Sequence, residues 1–337
     1  MPRNLRAALV LFLLAPLVGE YVLGNVPWSG IGALVVLAPM YGGGALLIRE
    51  VARRTGRGWP TILLLGCAYG VLEAGLLDQS MFNPNFEGHD FQAVTPVPAL
   101  GISALNTLVF VVGHAVWSIG VPIALVESLA WRRRTTPWLG RTGLVACSLV
   151  FAAGSFLVFR FLLREEGFLA TPAQRVGAAL VVAALVAAAF LLRPRPRPQS
   201  EPRPHLHPRP PVDRPVPPPW AVGFGAFLVS SLYVSMPEDW TGFWWKVGWL
   251  VAASAAGLWW GRSARWGAAH RYGAAAGALV TYTWISWILV EKSTGPLVTH
   301  AVMVLLTWAF LFVVRQASVR GPGGPVTAGS SGTRPCE

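Results

Sequence analysis

The stretch Gly70-Val-Leu-Glu-Ala-Gly-Leu-Leu-Asp-Gln-Ser-Met-Phe-Asn-Pro84 starts inside an apolar segment and opens into the longest polar loop of the first half of the chain. It takes Glu73 and Asp78 with it. The segment before it, from residue 60 to 78, is near the ~20 apolar residues that a membrane-crossing helix needs. An ionisable group inside such a span marks a functional site by default. Around this stretch the chain reads as an integral membrane protein. Of its 337 residues, 54% are hydrophobic and only 12% charged, about half the charged share of a soluble domain.

Further apolar runs occupy residues 7–24, 31–48, 102–126, 142–162, 173–192, 219–236, 243–261, 272–291 and 297–315, which predicts an all-α bundle of about ten transmembrane helices. Charge orients them. With both termini cytoplasmic, segments 1–7, 49–59, 127–141, 193–218, 262–271 and 315–337 hold 22 of the 27 lysines and arginines, the positive-inside pattern. The acidic Glu87, Asp90, Glu165, Glu166, Glu238, Asp239 and Glu291 fall on the other side. The expected location is therefore the plasma membrane, multi-pass, with N- and C-terminus inside. A net charge of +12 spread over short clusters between apolar runs does not form the single basic face that nucleic acid requires. Cys67, Cys147 and Cys336 have no disulfide or metal-ligand spacing, and no metal or cofactor is expected.

Four regions follow from this pattern. Residues 1–192 form a six-helix membrane bundle carrying the buried polar residues. Residues 193–218, rich in proline and arginine, form a cytoplasmic linker, since proline removes donors and favours extended, solvated chain. Its arginines are placed to hold anionic lipid headgroups at the inner leaflet. Residues 219–315 form a four-helix, tryptophan-rich bundle read as support or homo-oligomer interface, and 316–337 a disordered tail.

The candidate site lies in the first four helices. Gly66, Gly70 and Glu73 share one helical face, and a GxxxG pair lets a neighbouring helix approach closely, so Glu73 points into the bundle. Pro39-Met-Tyr-Gly-Gly-Gly44 is expected to kink or unwind the second helix and free backbone groups toward a cavity, with Tyr41 beside it. Asn106, Gly113, His114 and Trp117 line one face of the fourth helix, and Glu20 sits near the outer end of the first. At 1.5 Å per residue, Glu20, Glu73 and Asn106 fall at one depth and His114 about 12 Å deeper. A Glu20–Glu73 pair is then easier to form than a direct Glu73–His114 contact. Glu73 and His114 are the candidate catalytic groups; Glu20, Tyr41, Asp78, Asn106 and Trp117 are candidates for substrate or ion binding. The loop 79–101 carries Phe82, Phe86 and Phe91, placed to cover the site as a lid.

Phe110-Val-Val-Gly-His114 and His114-Ala-Val-Trp-Ser118 resemble motifs of the CAAX-protease and bacteriocin-processing family of intramembrane glutamic proteases. In that family Glu-Glu-x-x-x-Arg precedes Phe-x-x-x-His and His-x-x-x-Asn. Here Glu73 is followed by Ala74, the arginine is absent and Ser118 stands in the asparagine position. The resemblance covers about 50 residues and implies Glu73 as general base for a water and His114 as its partner. The wider pattern is similar to uncharacterised polytopic membrane proteins of high-GC bacteria. Three functions fit the sequence: a membrane-embedded hydrolase acting on a lipid-like or membrane-peptide substrate, a proton- or cation-coupled small-solute transporter, and a non-catalytic scaffold or assembly partner.

Overall fold

The computed structural model describes residues 3–192, 214–290 and 293–319. Among these residues it contains ten helical rods: Asn4–Val22 (α1), Trp28–Arg54 (α2), Trp59–Leu77 (α3), Ala104–Leu129 (α4), Arg141–Glu165 (α5) and Pro172–Leu191 (α6), then Pro219–Ser235 (α7), Trp240–Trp260 (α8), Ala268–Leu289 (α9) and Thr294–Ser318 (α10). Seven of them, α1–α6 and α10, are long and apolar enough to cross a membrane. The other regular structure among the described residues is a short 3-10 turn at Trp131–Arg133 and a two-residue hairpin, Pro96–Val97 against Ile102–Ser103. The chain is thus an all-α, polytopic membrane protein.

The rods alternate in direction. One end of the bundle carries the helix connections rich in arginine and is here called the arginine end; the other carries residues 79–103 and is called the loop end. At the loop end the helix starts are capped as their sequences dictate. Ser103 Oγ accepts Asn106 N–H at 3.1 Å, Thr171 and Gln174 exchange hydrogen bonds in a capping box, and Asp239 accepts Gly242 N–H at 2.7 Å, each satisfying donors that the first turn leaves unpaired.

Glycine sets the closest approaches. Gly66 lies against the backbone of Ala115 and Gly70 against that of Val111, which aligns α3 and α4 as an antiparallel pair. Gly42 packs on the Phe12 carbonyl and Gly44 on the Tyr69 ring. Of the kink or unwinding expected of the Pro39–Gly44 run, the unwinding does not occur. The second helix passes through it without a break, taking a wide π-type turn at Ala38–Gly42, and its glycines serve contact with α1 and α3.

The first six helices and the last four share a core. Val18, Trp117, Val121 and Leu125 pack in one cluster with Tyr233, Leu279, Tyr282, Met303 and Leu311, and α9 closes on α7 through Gly223, Gly273 and Gly277. Most of the proposed linker, residues 193–213, lies outside the described residues, as does the tail from residue 320. Residues 316–319 continue α10 as helix rather than starting a disordered segment. In the tryptophan-rich half, where no buried charge is expected, Lys246 is 3% exposed. It donates to the Tyr233 carbonyl at the end of α7 and lies 4.9 Å from that ring.

Candidate functional site

Four polar side chains from four helices meet in the interior of the bundle, and each belongs to a π-type turn. Glu20 is in Leu17–Val22, Tyr41 in Ala38–Gly42, Glu73 in Glu73–Leu77 and His114 in His114–Gly120. A π turn inserts an extra residue into the α repeat and re-aims the side chains beside it, and such turns concentrate at functional sites. Pro39 in α2 and Gly75 and Gly120 in the others relax the α-helical ladder at these places.

Tyr41 is the centre. Its hydroxyl donates to Glu20 Oε1, and its oxygen lies 3.3 Å from Glu73 Oε1 and 3.3 Å from His114 Nε2. His114 Nε2 is also 3.1 Å from Glu73 Oε2, while Nδ1–H donates to the Phe110 carbonyl at 2.7 Å. Because a carbonyl only accepts, Nδ1 holds a proton and Nε2 is the atom that changes state. The rings of Tyr41 and His114 stack at 5.8 Å between centroids, with Tyr69 tilted against both. Tyr41 and Glu73 are buried at 2% and 4% exposure, and Glu73 Oε2 accepts no hydrogen bond among the described residues.

The expected ranking is reversed: the direct Glu73–His114 contact forms, and Glu20, expected to pair with Glu73, meets it only through Tyr41. The depth argument treated each helix as starting from one plane. The glycine contacts instead set Gly70 beside Val111, so His114 lies about six residues, roughly 9 Å along the axis, below Glu73, less than the depth argument gives, and the two side chains close that gap.

Of the other expected site residues, Asp78 stays within electrostatic reach of Glu73 and His114, while Asn106 and Trp117 make their hydrogen bonds elsewhere. Asp78 accepts from Ser80 N–H at 2.9 Å and Ser80 Oγ–H at 3.0 Å, forming the turn that begins the loop. Asn106 donates to the Phe91 carbonyl at 2.6 Å. Trp117 points away from the cluster, donating to the Ala278 carbonyl at 2.8 Å and stacking on Tyr282 at 4.6 Å. The loop itself folds over the ends of α3 and α4, with Phe91 edge-on to Phe110 at 5.4 Å, directly above the carbonyl that orients His114. No group of three or more His, Cys, Asp or Glu among the described residues is arranged to hold a metal.

At the loop end the cluster reaches toward the surface through Asn25. Asn25 donates to Glu20 Oε2 at 3.3 Å and lines a cavity of about 540 Å³ with Ser29, Thr299 and His300. At the arginine end a second polar group, which the sequence did not reveal, is sealed. Arg49 and Glu50 are both fully buried. Arg53 grips Glu127 through Nε and Nη2 at 2.8 and 2.7 Å, and Arg49 Nε lies 3.1 Å from Glu127. Arg49 also pairs with Glu50 at 2.9 Å, lies 3.2 Å from the Trp138 ring centre, and donates to the carbonyls of Arg133, Arg134 and Thr136. Glu50 accepts the N–H groups of Trp138 and Leu139. The one available signal was the presence of Glu50 and Glu127 in segments otherwise dominated by arginine.

The fold defines a polytopic α-helical membrane protein with a cluster of ionisable side chains buried inside its bundle. The chain belongs to an uncharacterized membrane protein family, whose pattern matches residues 9–328. No curated protein and no solved structure matches it.

Proposed function

We propose that the Glu20–Tyr41–Glu73–His114 cluster is a proton-relay centre and that the protein is a proton-coupled membrane transporter. The observation that carries this reading is the position of one phenol oxygen within hydrogen-bonding reach of two carboxyls and an imidazole. A phenol has one proton. With that proton on Glu20, Glu73 pairs with the same oxygen by donating its own. A proton leaving Glu73 for Tyr41 while the Tyr41 proton passes to Glu20 moves one charge across the cluster and leaves the phenol neutral. The step leaves Glu73 as a carboxylate facing Nε2 of His114, the atom at which a further proton would balance its charge.

The two ends of the bundle support a directional path. Asn25 joins Glu20 to the loop-end cavity, and the buried Arg49–Glu50–Arg53–Glu127 network closes the other end. With both termini cytoplasmic in the plasma membrane, as the arginine distribution favours, the relay is loaded from outside.

A second reading, a membrane-embedded hydrolase, rests on Glu73 Oε2. This atom is buried and has Nε2 of His114 as its polar neighbour at 3.1 Å. A carboxylate oxygen so placed suits the general base that the protease resemblance implies.

Purified protein in vesicles with an internal pH dye separates the two. A transporter gives dye response to an imposed pH gradient, abolished in Tyr41→Phe and Glu73→Gln and enhanced by the correct solute. A hydrolase instead cleaves fluorogenic acyl-ester lipids or membrane peptides without a gradient. Wild-type proton flux in Glu73→Gln would overturn the relay.

A further inference from the structure

At the arginine end, α1, the end of α4 and the segment after it enclose a cavity of about 520 Å³, separate from the relay cluster. Its polar wall is Arg6, Arg132 and Arg133; its apolar wall is Val10, Leu129 and Trp131. Among the described residues no carboxylate pairs with any of these three arginines. Arg133 donates to Asn4 Oδ1 at 2.6 Å, tying the segment to α1, and the Arg132 guanidinium lies 5.0 Å from the Trp131 ring centre.

The segment bearing these arginines is held rigidly from beneath. Arg49 donates to the carbonyls of Arg133 and Arg134 at 3.3 and 3.0 Å, Glu50 accepts Trp138 N–H at 2.7 Å, and Trp138 Nε1–H donates to the Arg133 carbonyl at 3.0 Å. Burying Arg49 and Glu50 costs desolvation that their mutual attraction alone does not recover; what it accomplishes is a fixed shape for a cationic shelf. Trp138, part of the cavity floor, stacks on Arg49 from the other side.

We infer that this cavity is a binding site for one acidic phospholipid, its phosphate held by Arg6, Arg132 and Arg133 and an acyl chain laid along Val10 and Leu129. A guanidinium offers forked donors that match phosphate oxygens. An apolar wall continuous with the outer surface of α1, where Leu9, Val10 and Leu13 are exposed, suits an acyl chain and not a free anion. Trp131 at the boundary matches the preference of indole for the headgroup level.

The test uses full-length protein in detergent, incubated with phosphatidylglycerol, phosphatidylcholine or inorganic phosphate and read by native mass spectrometry and melting temperature. Wild type should retain one phosphatidylglycerol in preference to phosphatidylcholine and gain stability from it, with inorganic phosphate giving neither effect. Each of Arg6→Gln and Arg132→Gln should weaken retention about fivefold, the contribution of one basic residue near an anionic headgroup. Among the described residues Arg132 makes no hydrogen bond to another helix, so Arg132→Gln keeps the fold and isolates the charge. Val10→Asn should weaken phosphatidylglycerol while leaving the arginines in place. Equal retention of both lipids, unchanged retention in Arg132→Gln, or stabilisation by inorganic phosphate matching that by the lipid would each overturn the assignment.

Discussion

His114 holds Nε2 3.1 Å from Glu73 Oε2 while its other nitrogen is committed to the Phe110 carbonyl at 2.7 Å. The backbone bond fixes the ring's orientation, so its variable charge faces Glu73 and, slightly farther off, the Tyr41 oxygen. This makes the pair an electrostatic unit and not two independent polar residues.

That coupling has a measurable size. Single replacements His114→Gln and Glu73→Gln each leave a buried partner without its complement, at about 1–3 kcal/mol apiece. In a double-mutant cycle on thermal stability, the double variant should lose less than the sum of the singles by about 0.5–3 kcal/mol. Strict additivity would mean that the two groups do not interact.

Tyr41 is predicted to matter for proton movement far more than for folding. Tyr41→Phe keeps the ring that packs against Tyr69 and His114 and removes only the hydroxyl, leaving Glu20 with the Asn25 bond alone. Stability should fall by about 1–3 kcal/mol, and the cluster should lose its shared proton. Infrared difference spectra across a pH jump should show the carboxyl band of Glu73 decoupled from that of Glu20. A spectrum unchanged from wild type would rule out the phenol as the bridge.

Glycine substitutions should sort by what stands opposite them. A Cβ at Gly70 would meet Val111 Cα at 2.9 Å and His114 Cβ at 3.2 Å, so Gly70→Ala forces α3 and α4 apart where Glu73 and His114 meet, at about 1–3 kcal/mol. Gly42→Ala should be worse, because its Cβ would run into the Phe12 carbonyl. Gly177, also helical, has nothing within 4 Å, and Gly177→Ala should stabilise by roughly 0.5–1 kcal/mol. Melting temperatures in one detergent test the order, and a harmless Gly42→Ala would contradict this packing.

The buried ion network at the arginine end predicts an asymmetry. Removing one partner, as in Arg53→Ala, leaves Glu127 buried against a single remaining arginine and should cost about 3–5 kcal/mol. Replacing both, Arg53→Met with Glu127→Leu, should recover most of that loss, since a well-packed apolar pair carries no desolvation cost. If the double variant melts no higher than Arg53→Ala, the network contributes through something other than mutual charge satisfaction.

The membrane fold was legible because its signals, long apolar runs and the one-sided placement of arginine, are properties of the chain alone. Glu73 and His114 were legible as polar residues on glycine-lined or polar helix faces. Tyr41 was marked only by its place in the Pro39–Gly44 run, and its central position depends on α1, α3 and α4 converging, which no spacing along α2 encodes. The depth argument failed at Glu73–His114 because rise per residue says nothing of how two helices are offset; Gly70 against Val111 decides that. Arg49 and Glu50 were hidden for a related reason. They read as solvated charge beyond a span, and the segment that buries them, Arg133–Leu139, lies more than 80 residues further on.

The shared core gives a last prediction about organisation. Residues 1–192 and 214–337 meet through Trp117, whose indole N–H donates to Ala278 at 2.8 Å and whose ring stacks on Tyr282 at 4.6 Å, and through Val121 and Leu125 against Leu279 and Leu311. A stack and a buried hydrogen bond of this kind contribute about 1–3 kcal/mol together, and the apolar contacts add to it. Co-expressed without the connecting residues 193–213, the two pieces should therefore assemble and co-purify through a tag on either one. Trp117→Ala should release the second piece while leaving the first folded, because nothing in the Glu20–Tyr41–Glu73–His114 contacts passes through that indole. Pieces that co-purify equally well with Trp117→Ala would assign the joint to the apolar contacts, and pieces that never associate would make the connecting residues the true joint between the halves.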